Sequence, residues 1–156
     1  MKQGFEACFD PDDPRPPTRV AVGILFREGR FGRQVLLAER PPGKVYAHYW
    51  EFPGGKVEAG ETPEQALIRE LEEELAVRVC APQELVCERF SYPHAHVELT
   101  FFVCPNFTGE PRARESQRLA WEPIDAIRVS PLLPALLHPR SQVLARLAAW
   151  QPARGR

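Results

Sequence analysis

Four glutamates fall within residues 70–74, and three of them, Glu70, Glu73 and Glu74, carry the spacing that matters, inside the segment 50–77, WEFPGGKVEAGETPEQALIRELEEELAV. On a helix, Glu70 and Glu74 stand one turn apart and Glu73 lies three residues from Glu70, so the three carboxylates share a patch. Like charges at that spacing cost a few tenths of a kcal/mol per pair. Two arrangements tolerate them. One is a solvated acidic face. The other is a hard divalent cation such as Mg²⁺, which takes oxygen ligands and keeps waters for a phosphate substrate. Arg69 is one residue off the patch and Glu61 precedes it by eight. Together they are either an ion pair that orients the acids or an ordinary surface pair worth about 0–1 kcal/mol. Gly54 and Gly55 allow close backbone approach, which makes the Gly55 carbonyl a candidate metal ligand.

The helix that would hold these acids is marked at its start. Thr62 and Gln65 form a capping box with Pro63 at the first helical position. Leu67, Ile68, Leu71 and Leu75 fall on one apolar stripe, and Ala66 is assigned to the acidic patch, where a bulky side chain would crowd it. Upstream, residues 19–27 read as a buried strand, 29–32 as a turn and 33–40 as the second strand of a hairpin. Arg40 ends that strand, where it would either hold a phosphate or cap the next loop. The loop 41–49 is rich in turn formers and aromatics and could wall a substrate. His48 in it reads as surface or structural.

Downstream, residues 77–80 read as a short strand, and 84–92 and 96–104 as two long ones joined at Pro93-His94-Ala95. Val97, Leu99, Phe101 and Val103 give the last strand an apolar face. Phe102 makes its other face too apolar for solvent, so a covering element or a stacked ligand is needed there. Residues 105–116 form a loop and Leu119-Ala120-Trp121 begins a further strand. Ile124 to Ile127 reads as a helical turn, 131–138 as a short helix, and Ser141 as the cap of a final helix carrying Val143, Leu144, Leu147 and Trp150. Pro14, Pro16 and Pro17 make residues 1–18 an irregular extension, residues 19–150 form one domain, and 151–156 are a tail.

Composition bounds the function. With 156 residues, 44% of them hydrophobic, the chain supports one domain with a full core. A net charge of −1 gives no reason to bind a nucleic-acid polymer or an anionic membrane, and Arg112, Arg114 and Arg118 read as surface arginines. Cys8, Cys80, Cys87 and Cys104 have no metal-ligand spacing and read as reduced thiols of a cytoplasmic protein. No apolar run reaches the roughly 18 residues of a membrane span.

The run Gly55, Glu61, Arg69-Glu70-Leu71 and Glu73-Glu74, seven identities over 20 residues, resembles the box of the Nudix hydrolases. The resemblance implies an α+β Nudix fold, a mixed β-sheet sandwiched between α-helices. It also implies Mg²⁺ (or Mn²⁺) on the helix, and cleavage of a nucleoside diphosphate linked to another group. Within the family the chain looks most like MutT-type nucleotide diphosphatases that sanitise oxidised dGTP. The stretches 20–26, 50–74 and 109–121 carry that likeness. It places Glu70, Glu73 and Glu74 on the metal with Glu115, from GEPRARE, as a further acid. It sets Arg40 on phosphate and Phe52 beside the base, next to Gly54. Glu73, Glu74 and Glu115 all remain candidates for the general base.

Two departures stand out. The family's Gly after the last helical turn is Ala76 here; a left-handed Ala costs on the order of 1 kcal/mol but loses no chemistry. The purine-reading Asn that follows Pro-Ala in MutT-type enzymes is Leu136 here, and Leu makes no hydrogen bonds to a base. A shifted alignment brings His138, Arg140 or Gln142 to that role. Three functions follow: a nucleoside triphosphate diphosphatase, a Nudix pyrophosphatase for ADP-ribose or a nucleotide sugar, and a silent nucleotide-binding module. The filled acidic positions weigh against the third.

Overall fold

Strand β1 (Thr18–Gly29) turns back into β2 (Gly32–Glu39), with Phe26 opposite Val35 and Gly29 opposite Gly32. The computed structural model describes residues 12–30, 32–115 and 117–152. Trp50–Glu51 (β3) adds to β2, and Gly54–Lys56 (β4) pairs with the first half of β1. Gly54 and Gly55 therefore lie in a strand. Helix α1 (Pro63–Leu75) follows, then β5 (Arg78–Val79), β6 (Gln83–Ser91) and β7 (His96–Cys104). The chain closes with β8 (Phe107–Thr108), β9 (Leu119–Pro123), α2 (Pro134–Leu137) and α3 (Val143–Ala149).

The main sheet runs β3-β2-β1-β7-β6, with β4 also on β1 and β9 on β2; β5 and β8 form a separate small pair. β1 and β7 are parallel, from Thr18 beside Val97 to Leu25 beside Cys104, whereas the other pairings are antiparallel. The sheet is mixed and buried on both faces. On one face Leu67, Leu71 and Leu75 of α1 are fully buried against Ala21, Leu25, Leu36, Phe102 and Cys104. Each such leucine contributes about 1.5–3 kcal/mol of transfer free energy. On the other face Leu136, Val143 and Leu147 pack on Val22, Ile24, Val35, Leu37, Phe101 and Val103. The apolar outer face of Phe102 is thus covered by α1, not by a ligand. Among the described residues no helix is long and apolar enough to cross a membrane.

Several local expectations need correction. Ala66 is fully buried in the α1 core beside Leu67, not in the acidic patch. Residues 124–127 hold a single hydrogen-bonded turn, Ala126 N to Pro123 O at 3.2 Å, that is not assigned as helix. Ser141 is not the N-cap residue of α3, although its Oγ accepts from Val143 N at 3.4 Å. Its hydroxyl donates to Glu88 Oε1 at 2.7 Å, and Gln142, at the N-cap position, makes no side-chain cap. A strand carboxylate does that work instead, since Glu88 Oε2 accepts from the Gln142 N–H at 2.7 Å. A cap supplied from a distant strand leaves no local sequence signature. Of the described cysteines, Cys80 and Cys87 are exposed and Cys104 is buried; Cys8 lies outside the described residues.

Candidate active site

The acids of α1 are set by the helix's two ends. At the start, Thr62 Oγ1 accepts from Gln65 N at 3.2 Å and Gln65 Oε1 accepts from Thr62 N at 2.9 Å, closing the capping box. At the other end Ala76 is left-handed, with φ 58° and ψ 30°, in the position the family gives to Gly. Beyond it, the backbone of the 109–115 loop docks onto the free carbonyls of the last turn. Arg112 N donates to Leu75 O at 2.9 Å and Arg114 N to Glu74 O at 3.1 Å. Gln117 Oε1 accepts from Glu115 N at 2.9 Å. Unsatisfied carbonyls at a helix end thereby bring a remote loop, and Glu115 with it, to the acids of α1.

Arg69 organises the patch. Its Nε and Nη2 bind Glu61 Oε2 and Oε1, each at 2.8 Å, while Nη1 reaches Glu70 Oε1 at 2.9 Å and Glu73 Oε2 at 3.3 Å. The fork to Arg69, then the Glu58 N–H, holds the Glu61 carboxyl down to about 2. The three helical glutamates are not equivalent. Glu73 leans out beside Arg69 with 61% of its side chain exposed, whereas Glu70 retains 17%. Glu74 faces Glu70 and Glu115. Burial first, then those two carboxylates, push its carboxyl up to about 8. An acid so reluctant to ionise at neutral pH is one that a cation would relieve.

A cavity of about 930 Å³ opens beside this wall and is lined by Glu70, Glu73, Glu74, Glu115, Gly54, Gly55, Arg40 and Phe52, so these predicted residues share one space. Glu61 stands behind it, on Arg69. Gly55 is packed so closely that a Cβ there would lie 2.1 Å from Glu70 Cδ. A side chain at Gly54 would lie 2.1 Å from Ala21 O. The donors are all oxygens, and the Gly55 backbone lies directly against the Glu70 carboxylate; both features suit a hard divalent ion. Among the described residues no group of three or more His, Cys, Asp or Glu is already arranged as a metal cage.

The opposite wall comes from three separate pieces: the 41–49 loop with Tyr46, the β6–β7 hairpin with Tyr92 and His94, and the segment with Leu133, Ala135 and Leu136. Tyr46, Tyr92 and His94 have ring centroids 5.2–6.0 Å apart. The Tyr92 hydroxyl accepts from Ala135 N at 3.3 Å. Leu136 is buried and lines the cavity, as does Phe52, whose ring is 3% exposed. Arg40 serves the loop. Its Nε donates to Val45 O at 2.8 Å and its Nη1 to Glu51 Oε1 at 3.0 Å. Lys44, on the same loop, lies 3.8 Å from Glu115.

Glu51 and Glu39 line the cavity and were missed by the reading of the sequence. Burial raises the Glu51 carboxyl against the opposing pull of Arg40. The signal was an acid between buried Trp50 and Phe52, which a strand's period of two turns to the other side. Glu39 sits at the end of β2 and is 8% exposed; the hydrogen bond from Arg118 holds it low. Arg118 is a surface arginine as read, with 73% of its side chain exposed, and it also pairs with Glu39 of the cavity wall.

The NUDIX domain family matches residues 17–147. The chain belongs to the Nudix hydrolase family. Among its relatives, the 8-oxo-dGTP diphosphatase of Haemophilus influenzae is 41% identical over 77% of this chain and 88% of its own length. The CTP pyrophosphohydrolase of Escherichia coli is 36% identical over 86% of this chain and 96% of its own. Among solved structures, the E. coli ORF135 protein superposes with a TM-score of 0.67 at 30% identity, covering 93% of this chain and 98% of that one. These likenesses put this Nudix hydrolase among the MutT-type members of the family and agree with its mixed sheet between helices.

Proposed function

We propose that this Nudix hydrolase cleaves a nucleoside triphosphate to the monophosphate and pyrophosphate with the help of Mg²⁺ or Mn²⁺. The observation that carries this reading is the convergence of Glu70, Glu74 and Glu115 on one side of an open cavity, with Glu74 pushed up to about 8 by its neighbours. Relatives named for hydrolysis of 8-oxo-dGTP and of CTP support the same class of substrate. Glu70, Glu73, Glu74 and Glu115, with the Gly55 carbonyl, would hold the ion. When bound, it neutralises polyphosphate charge and makes a water easier to deprotonate.

The chain's own groups supply the rest. Arg69 holds Glu70 and Glu73 in register and is itself fixed by Glu61. Glu73, Glu74 or Glu115 accepts the proton of the attacking water. Arg40 and Phe52 line the cavity and would meet phosphate and base, and Gly54, which also lines it, packs without a side chain against Ala21 O. A screen of nucleotides with Mg²⁺, following pyrophosphate release, tests the reading. Pyrophosphate from triphosphates supports it. AMP from ADP-ribose without pyrophosphate, or tight binding without turnover, overturns it. Glu73→Gln is expected to remove most turnover while leaving the fold intact; near-normal rates take Glu73 out of the mechanism.

A second reading concerns the base. Leu136 lines the cavity, and the MutT-type resemblance implies a purine-reading amide at that position, so its replacement weighs against selection of an oxidised purine. A pyrimidine triphosphate, as in the CTP-hydrolysing relative, fits the same chemistry. Comparing kcat/KM for CTP, dCTP and 8-oxo-dGTP separates the two.

A further inference from the structure

Residues 12–17 carry three prolines around Arg15, in the run DDPRPP. Pro14, Pro16 and Pro17 fix φ and push the residue before each of them toward extended backbone, so this arm loses little freedom when it lies down on a surface. It lies on the β6–β7 hairpin. Arg15 Nη2 donates to Tyr92 O and Nη1 to Pro93 O, both at 3.0 Å. Asp13 grips the guanidinium from the other side. Its Oδ1 accepts from Arg15 N at 3.0 Å and from Nε at 2.9 Å, and its side chain is only 7% exposed. A buried carboxylate clamping an arginine onto two backbone carbonyls is more than a surface pair; removing either charge breaks the clamp and leaves Asp13 with the more distant His96 Nδ1 at 4.0 Å, or Arg15 without that carboxylate.

The hairpin held in this way is a wall of the cavity. Tyr92, His94 and Ala95 line it, and so does Thr18, the first residue after the arm. From Tyr92 the contacts run on to Tyr46 of the 41–49 loop at 5.3 Å between rings and through its hydroxyl to Ala135, next to Leu136. The acids of α1 have no part in this chain of contacts.

We infer that the N-terminal arm, through Asp13 and Arg15, is a positioning element for the nucleoside side of the substrate site. It rests on the nucleotide reading above. Arg15 touches no reacting group; it fixes the hairpin that carries Tyr92 and His94. The arm therefore governs how tightly the nucleoside is held and leaves the polyphosphate side unaffected.

The test compares the full-length chain with Arg15→Ala and Asp13→Asn, using the nucleoside triphosphate that the unmodified protein turns over best. Inhibition by the matching nucleoside monophosphate and by inorganic pyrophosphate is measured separately. Arg15→Ala is expected to raise KM and the monophosphate inhibition constant about three- to tenfold, with kcat and the pyrophosphate constant within about twofold. Asp13→Asn, which loosens the clamp but keeps the arginine, gives a smaller change in the same direction. Arg15→Lys, which cannot fork to two carbonyls, restores only part of the loss. Unchanged monophosphate inhibition in both Arg15→Ala and Asp13→Asn overturns the inference. So does an equal weakening of both products, which marks a general loss of folding. If Arg15→Ala fails to fold, Asp13→Asn decides alone by the same two constants. Absence of turnover on any triphosphate by the unmodified chain defeats the nucleotide reading instead, and so is told apart from failure of the arm's role.

Discussion

The two walls of the cavity are built in opposite ways. The acidic wall stands on one helix. Its three acids, Glu70, Glu73 and Glu74, lie within five residues of sequence, and Arg69 ties Glu70 and Glu73 to Glu61 just ahead of the helix. The facing wall is assembled from the 41–49 loop, the β6–β7 hairpin and the stretch before α2, with the N-terminal arm behind the hairpin. A wall on a single rigid element keeps its geometry while other parts of the chain change. A wall made from separate pieces can change its contacts one residue at a time. That division suits a hydrolase whose phosphate chemistry is fixed and whose base preference varies between relatives.

The largest predicted effect lies on the acidic wall. Glu70→Gln and Glu74→Gln should each lower kcat by about 10²–10³-fold with little change in KM, because each removes a carboxylate that would help hold the cation against the reacting phosphate. Glu74→Gln also carries a pH signature in the metal-free protein. The Glu74 carboxyl has an ordinary value of 4.5 and stands at about 8 when folded. Between those values the folded chain keeps a proton that the unfolded chain has released. Its contribution is therefore present at low pH and is lost as pH rises toward 8. Stability should fall by at most about 1.4 kcal/mol per pH unit across that window. Thermal melting in EDTA from pH 5 to 8 checks this, and the slope should flatten in Glu74→Gln. An unflattened slope assigns the lost proton to another group.

A smaller effect is expected on the facing wall. Leu136→Asn puts an amide at the position where the MutT-type resemblance implies one. The ratio of kcat/KM for 8-oxo-dGTP over CTP should rise about tenfold or more if a purine edge then gains a hydrogen bond. Leu136 is 6% exposed, so the change should also cost about 1–3 kcal/mol of stability. An unchanged ratio means that base choice resides elsewhere on that wall.

The contrast between the walls also explains what the sequence made legible. Capping box, apolar stripe and acid spacing are local, with a period of 3.6, and α1 follows them from Pro63 to Leu75. The long strands were readable for the same reason. The Glu88 cap on Gln142, the Arg118 pairing with Glu39 and the Asp13–Arg15 clamp each join residues to distant backbone or side chains. No spacing rule announces such contacts. The 41–49 loop was recognisable as aromatic, but Tyr46 and His48 take φ of 57° and 69°, values that non-glycine residues seldom adopt and that composition does not reveal. Glu73 shows the limit within the helix itself: periodicity put it in the acidic patch, whereas its rotamer follows Arg69 toward solvent.

The smallest predicted effect tests the joint between α1 and the Glu115 loop. Ala76 sits there in the left-handed region, and Gly109 lies close enough that a Cβ on it would be 2.9 Å from Ala76 O. Ala76→Gly removes the steric cost of a Cβ in that conformation, on the order of 1 kcal/mol, offset in part by the greater freedom of an unfolded glycine. The net gain should raise Tm by no more than about 2–4 °C. Turnover should stay unchanged, because the hydrogen bonds from Arg112 N and Arg114 N to the helix carbonyls, rather than the Ala76 side chain, carry the loop. A stability gain with lost activity would mean that the tight turn at Ala76 helps to aim Glu115, and the acidic wall would then depend on its loop as much as the facing wall does.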